Sequence, residues 1–353
     1  MTVSVCMIVR NEADIIEQAV ASTVGLADEV VVLDTGSTDN TVELLEQLGV
    51  QVLTGGDRMH KAKSRNQAID AASGDWVVIL DADERIADPT GLRQFLESTD
   101  AQALYIKLSY MDANDQPTLS YQQMRCWQRG TYQYQYRAHE VPIPVNGWGE
   151  TKHTDFVWEH RPPTGRTWKS DYTLNRLLLD VEENPDATRQ LYYLGRQHMY
   201  RKEHDMALDR LSTYLENAGR DEADAWHCVA LCHQELEHEK EYVSALYQAC
   251  AANPQRREWW GELATHYHSK GQDTIAVGLL KCAMEQPPPP NSYVKHYWHG
   301  SHIYDLIAIC LWKLKRYEEG EKYASIAVEL SPDSERLQRN LKYFTDLGKT
   351  ELL

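Results

Sequence analysis

The sequence predicts two parts, an α/β half built on a mostly parallel sheet and an all-α half built as a repeat solenoid. Three observations predict this. Short apolar runs alternate with helix-like stretches from Val3 to Leu108, the order that parallel sheets produce because each crossover carries a helix. From about Leu191 the apolar spacing turns helical and similar residues recur at fixed offsets, as in stacked helix pairs. At 353 residues the chain is long enough for two domains, each with its own core.

In the first half, Val3 to Val9 reads as a strand and Glu12 to Val24 as a helix; Glu29 to Leu33 and Asn40 to Leu48 repeat the pair. Val50 to Leu53, Trp76 to Leu80 and Ala103 to Leu108 read as further strands. The second strand runs out at Asp34 into Thr35-Gly36-Ser37-Thr38-Asp39-Asn40, where Gly36 permits a tight turn and Ser37 or Asp39 can cap the next helix. Trp76 to Leu80 is apolar throughout, as a strand covered on both faces must be, and it stops on Asp81-Ala82-Asp83-Glu84. Ligands of open α/β sheets collect beyond the carboxyl ends of strands. Asp34, Asp81, Asp83 and the Arg10-Asn11-Glu12 cluster are therefore expected at one edge. Two hard oxygen donors there suit a magnesium or manganese ion that also holds a diphosphate. Lys61, Lys63, Arg65 and Asn66 bring cations and an amide to the same anion site.

The net charge of −17 disfavours a general nucleic-acid or anionic-membrane surface. Locally the balance reverses: between Gln122 and Ser170 stand Arg125, Arg129, Arg137, Lys152, Arg161, Arg166 and Lys169 against Glu140, Glu150, Asp155 and Glu159. A nucleic-acid acceptor would have to rest on that segment. Seven scattered cysteines lack the spacing of a disulfide framework and fit a reducing compartment. With no basic leader and no membrane span in view, a cytoplasmic protein is expected.

Ser4 to Glu12, Val30 to Thr41, Lys63-Ser64-Arg65-Asn66, and Gly74-Asp75-Trp76 leading into Asp81-Ala82-Asp83-Glu84 together resemble the successive motifs of glycosyltransferase family 2. The resemblance covers roughly the first 165 residues and implies a GT-A fold, Rossmann-like, over residues 1–166. It implies that Asp34 contacts the base of a nucleotide-sugar donor, usually uracil, that Arg10, Asn11, Glu12, Lys63 and Arg65 line the donor site, and that Asp81 and Ala82 lie near the ribose. It also implies that Asp83 ligates the metal, with His160 as the late histidine completing that site. On the acceptor side, His139-Glu140 resembles the pair some members place there, where the family more often has Glu-Asp. Glu140 is then the candidate base, since an attacking hydroxyl or thiol must lose a proton. Tyr132, Tyr134 and Tyr136 alternate as one face of an ordinary strand does, and with Trp127 and Trp148 they add aromatic faces to this segment.

In the second half, Gly195, Ala230, Ala264 and Ala308 align at spacings of 35, 34 and 44. Leu191, Trp226, Trp260 and Tyr304 stand four residues before them, and Tyr214, Ala249, Ala283 and Ala327 nineteen after. At twenty-four after come Gly219, Pro254, Pro288 and Pro332. This register resembles tetratricopeptide repeats, about four of them across 187–353, behind an amphipathic connector at 167–186. The extra residues of the last interval fall at 287–303 and read as a loop insertion. His296, His299 and His302, and His227, Cys228, Cys232 and His233, fit ordinary helix faces better than metal sites.

The resulting expectation is a metal-dependent inverting glycosyltransferase of hexosyltransferase type, using a UDP-sugar with Mn2+ or Mg2+. The repeats would recognise a peptide or protein acceptor or mediate self-association. A glycan, lipopolysaccharide or nucleic-acid acceptor, nucleotidyl transfer, and a catalytically silent repeat scaffold are the alternatives. Nucleotidyl transfer calls for a glycine-rich phosphate loop that Arg10-Asn11-Glu12 does not offer.

Overall fold

The computed structural model describes residues 1–162, 170–217, 222–287 and 294–350. Arg166, Lys169, the connector's first residues 167–169, Gly219, and residues 288–293 of the insertion with Pro288 lie outside them. Two compact units divide the chain, one ending at Tyr193 and one starting at Leu194.

The first unit begins β1 (Val3–Val9), α1 (Ile16–Ala21), β2 (Glu29–Asp34), α2 (Thr41–Gln47), β3 (Gln51–Thr54), α3 (Lys61–Asp70) and β4 (Trp76–Ile79). β5 (Glu84–Ile86), α4 (Pro89–Ser98), β6 (Ala103–Met111), β7 (Pro117–Gln128), β8 (Tyr132–Gln135), β9 (Val141–Pro144), β10 (Thr151–His160) and α5 (Ser170–Glu183) follow. The main sheet runs β3-β2-β1-β4-β7-β6-β10-β5. Its β3-β2-β1-β4 side is parallel, whereas β7 runs against both β4 and β6, and β5 runs against β10. The sheet is therefore mixed. Because β1 leads to β2 on one side and has β4 on the other, the strand order reverses beside β1, where ligands bind in such sheets.

Alternate residues of the central strands feed two cores. Val5, Met7, Val32, Val78 and Leu80 pack with Ile16, Leu45, Leu92 and Trp158. Cys6, Val31, Leu33, Val77 and Ile79 pack with Ala62, Ala68, Ile69, Trp127, Tyr132 and Tyr134. The helix expected over Glu12 to Val24 is shorter than its apolar spacing suggests. The hydroxyls of Ser22 and Thr23 donate back to the carbonyls of Ala19 and Val20, and Gly25 then turns the chain at φ +90°. Tyr132 and Tyr134 do form one strand face, while Tyr136 leaves the strand at φ +79°.

The helices continue as α6 (Thr188–Tyr200), α7 (His204–Glu216), α8 (Glu222–Glu235), α9 (Glu239–Ala252), α10 (Arg257–Ser269), α11 (Asp273–Glu285), α12 (Ser301–Lys313), α13 (Tyr317–Leu330) and α14 (Glu335–Thr350). From α6 to α13 they pair in the register read from the sequence. Ala230, Ala249, Ala264, Ala283, Ala308 and Ala327 are all buried where paired helices meet. Gly195 lies so near α7 that a Cβ there would stand 2.7 Å from Leu211 Cγ.

Candidate active site

Three parallel strands deliver the site. β1 ends into Arg10, Asn11 and Glu12, β2 ends at Asp34, and β4 ends into Leu80 and Asp81. The loops after β1 and β2 are tied to each other. Asp34 accepts from the amides of Gly36 and Ser37 and, at 2.5 Å, from the Ser37 hydroxyl. The Ser37 oxygen accepts from the amide of Asn11, and Asn11 Oδ1 accepts from the amide of Thr38 at 2.7 Å. Asn11 adopts φ +53°, a left-handed conformation that asparagine tolerates better than most residues. Glu12 donates its amide to Thr41 Oγ1, and Arg10 is exposed beside this pair of loops. Neither Ser37 nor Asp39 is the N-cap of α2, which is Asn40 with no side-chain cap bond; Asp39, one residue earlier, accepts from the amide of Thr41.

The second group is a buried charge network around Asp81. Arg65, brought in by α3, reaches Asp81 at 2.8 Å through Nη2 and Glu140 at 2.9 Å through Nε. Its third nitrogen, Nη1, is buried with no hydrogen-bond partner. From β7, Arg125 sits 2.5 Å from Glu84 and 3.4 Å from Asp81. Lys61 stands 3.9 Å from Glu140. Burial pushes the carboxyls up, but Arg65, Arg125 and Lys61 outweigh it at Asp81, which is held well below the usual carboxylate range. Glu140 is likewise pulled down to about 2, burial being outweighed by Lys61 and Arg65. Glu84 goes the other way: burial, with Asp81 and Asp83 nearby, drives it up to about 7 despite Arg125.

Asp83 and His160 meet at the edge of this network. His160 ends β10, opposite Glu84 of β5, and its Nδ1 lies 3.6 Å from Asp83 Oδ1. That nitrogen is buried and makes no hydrogen bond. Burial holds the imidazole below its ordinary pKa against the pull of Asp83 and Asp81, which favours the neutral, metal-ligating form at pH 7. A carboxylate oxygen and an orphaned imidazole nitrogen 3.6 Å apart are donor types that fit a manganese-type ion. The Ala82 carbonyl accepts from Arg85 and the Asp83 carbonyl from the Arg161 amide, which fixes the turn carrying both acids. Trp158 adds a buried indole donor to the Ile79 carbonyl at 3.1 Å, just before that turn.

Glu140 emerges from a loop strapped on both sides. Tyr136 and His139 take left-handed conformations at φ +79° and +49°, which non-glycine residues hold only when their surroundings enforce it. On one side the amides of Lys61 and Ala62 donate to the carbonyls of Arg137 and Tyr136. On the other, buried Asp180 of α5 accepts from the amide of Arg137 at 2.8 Å, from its guanidinium at 3.1 Å, and from Gln190 at 2.7 Å. Gln190 also donates to the Ala138 carbonyl, and Arg176 to that of Arg137. α5 is thus part of what shapes the site.

The structure therefore gathers Arg65, Asp81, Asp83, Glu140 and His160 into one network and Asn11, Glu12 and Asp34 into an adjoining pair of loops. The ring of His139 stacks on Tyr193 at 3.8 Å. Lys63 lines a cavity of about 310 Å3 with His60, Asn66, Arg137, Asp180 and Glu183. Arg125 and Asp180 are site residues that sequence motifs did not single out, whereas Lys61 was expected among the site's cations and Glu84 stood in the acidic motif without a role. The basic segment also changes meaning. Arg125, Arg137, Lys152 and Arg161 are each ion-paired with acids, and Arg129 donates to the Gly74 carbonyl. Each of these five cations thus has a partner within the chain, while Arg166 and Lys169 lie outside the described residues.

Residues 4–150 match the family model described as Glycosyl transferase family 2. A TPR repeat-containing protein of Synechococcus elongatus is 39% identical over 117 residues, 33% of this chain and 29% of that protein. An uncharacterized glycosyltransferase of Rickettsia felis is 34% identical over 121 residues, 32% of this chain and 42% of that one. The chain spans less than half the length of these two curated relatives. Among solved structures, MamA aligns with 46% of this chain and 89% of its own at 17% identity and a TM-score of 0.38.

Proposed function

We propose, from the premise that residues 4–150 are a glycosyl transferase family 2 domain, that this chain transfers a sugar with inversion from a UDP-sugar to a peptide or protein acceptor. The observation that carries the reading is the convergence of Asp81, Asp83, Arg65, Arg125 and His160 beyond the end of β4, beside the loop pair of Asn11 and Asp34.

Asp34 and Asn11 shape the loops that face the nucleoside. Asp83 and His160 would hold Mn2+ or Mg2+. Such an ion, when bound, offsets negative charge gathering on the leaving diphosphate. Arg65 contributes fixed positive charge through its unpartnered Nη1, and buried donors of this kind are worth most where water is excluded. Glu140 is the acceptor-side carboxylate. At about 2 its carboxyl is too acidic to take a proton efficiently while Arg65 and Lys61 hold it. A donor diphosphate that draws Arg65 away raises its basicity, so donor binding readies the base. Within the repeat unit itself, an open groove of about 570 Å3 is lined by Leu208, Leu215, Trp226, Val229 and His233. Its apolar walls with a few polar groups suit a peptide segment.

Calorimetric titration with UDP, GDP and ADP, each with Mn2+ and with chelator, tests the donor reading. UDP binding tightest, and weakening at least about tenfold in chelator, is expected. Equal binding of all three, or none, contradicts it.

A further inference from the structure

We propose that His268, Asp273 and Cys310 form a binding site for a zinc-class divalent ion in the repeat unit, separate from the transferase site and independent of that function. Their ligand atoms all lie within 4.8 Å of one another, which no other trio of histidine, cysteine or acid side chains achieves among the described residues. Three helices supply them. His268 closes α10, Asp273 opens α11 and Cys310 comes from α12 of the following repeat, so a bound ion would cross-link two repeats.

The geometry is close to what an ion requires. His268 Nδ1 is 2.5 Å from Asp273 Oδ1 and 3.3 Å from Cys310 Sγ. Tetrahedral zinc with bonds of about 2.0–2.1 Å to nitrogen and oxygen and about 2.3 Å to sulfur would set these separations near 3.3 and 3.6 Å. The ligands need to part by less than about 1 Å. Imidazole, thiolate and carboxylate are also a donor set zinc accepts, with a fourth position left for water.

The other repeats offer an internal comparison. His198 bonds Glu203 at 2.7 Å across the turn between α6 and α7, one register position before the place His268 holds, and buried Cys232 holds the place in α8 that Cys310 holds in α12. That trio does not close to ligand distance, as only the His268 group does. A histidine-acid pair across the turn therefore serves the repeat without metal even with a cysteine on the next repeat, and it is the placement of His268 and Asp273 that brings such a pair within ligand distance of Cys310. On binding, the thiol proton leaves to solvent, and the neutral imidazole offers its unprotonated Nδ1 to the ion with its proton on Nε2. One proton is released per ion, and affinity rises with pH.

The test is titration of the reduced, chelator-stripped full chain with Co2+ as a spectroscopic probe, followed by displacement with Zn2+. One equivalent should give a thiolate-to-cobalt charge-transfer band that Zn2+ abolishes. Cys310→Ser should lose the band and weaken Zn2+ at least about a hundredfold with unchanged far-ultraviolet circular dichroism. Cys232→Ser, Cys282→Ser and Asp83→Ala should keep it. A parent chain with no band, a band that survives Cys310→Ser, or one lost equally in Cys232→Ser overturns the proposal.

Discussion

Replacing Arg65 with methionine should unbalance the buried charge network. The guanidinium is 7% exposed and lies 2.8 Å from Asp81 and 2.9 Å from Glu140. Methionine keeps much of the stem and removes the charge, leaving the two carboxylates to Arg125, Lys61 and the more distant Arg176. Removing one partner of a buried ion pair costs about 3–5 kcal/mol. The Glu140 carboxyl sets the scale of what Lys61 and Arg65 supply together. Burial raises the Glu140 carboxyl, and Lys61 and Arg65 more than offset that to hold it at about 2. Against an unfolded value of about 4.3, that shift is worth about 3 kcal/mol at neutral pH. Because the folded pKa is the lower one, this stability is fully present above about pH 4.3 and fades as pH falls towards about 2. Arg65→Met should therefore lower the calorimetric midpoint of the first unit by about 10 °C at pH 7, with the repeat unit as an internal reference. The deficit should narrow by about pH 3. A shift under about 2 °C at pH 7, or one equally large at pH 3, would refute the reasoning.

Three further outcomes follow from neighbouring contacts. Asp180→Ala leaves the buried amides of Arg137 and Ala138 without their acceptor, so exchange at residues 136–140 should quicken at least about tenfold by mass spectrometry. Unchanged protection would show that α5 does not hold the loop. Gly74→Ala should cost about 1–3 kcal/mol in denaturant titration, because the new Cβ would sit 2.7 Å from the backbone nitrogen of Ser4; a neutral result would mean that β1 and β4 can part there. Trp158→Phe should cost about 1–3 kcal/mol, since it leaves the buried Ile79 carbonyl without its indole donor. A loss below about 0.5 kcal/mol would show that the bond is dispensable.

Much of this was legible because strand ends and apolar runs carry their own signals. Val3 to Val9 and Trp76 to Leu80 had to be strands covered on both faces, and that alone placed Asp81 at the sheet edge. The repeat register was equally legible, since a small residue is needed wherever paired helices meet. What the chain order hid was pairing at long range. Arg125 lies 44 residues from Asp81 and meets it only because β7 runs antiparallel beside β4. β5 is three residues long and exists as a strand only by pairing with β10. Asp180 read as one polar position on an amphipathic helix, and its hold on the 136–139 backbone comes from a loop whose left-handed residues are not glycine.

The most direct test of the central claim is release of UDP from a panel of UDP-sugars by the purified chain, with Mn2+, Mg2+ or chelator, beside Asp83→Ala. The account predicts metal-dependent release from one donor, with at least about a hundredfold loss in the folded variant, a residue at the reacting charge being worth about 3 kcal/mol or more. Release that proceeds equally in chelator and in Asp83→Ala, or no release from any donor with peptide acceptors supplied, would contradict it.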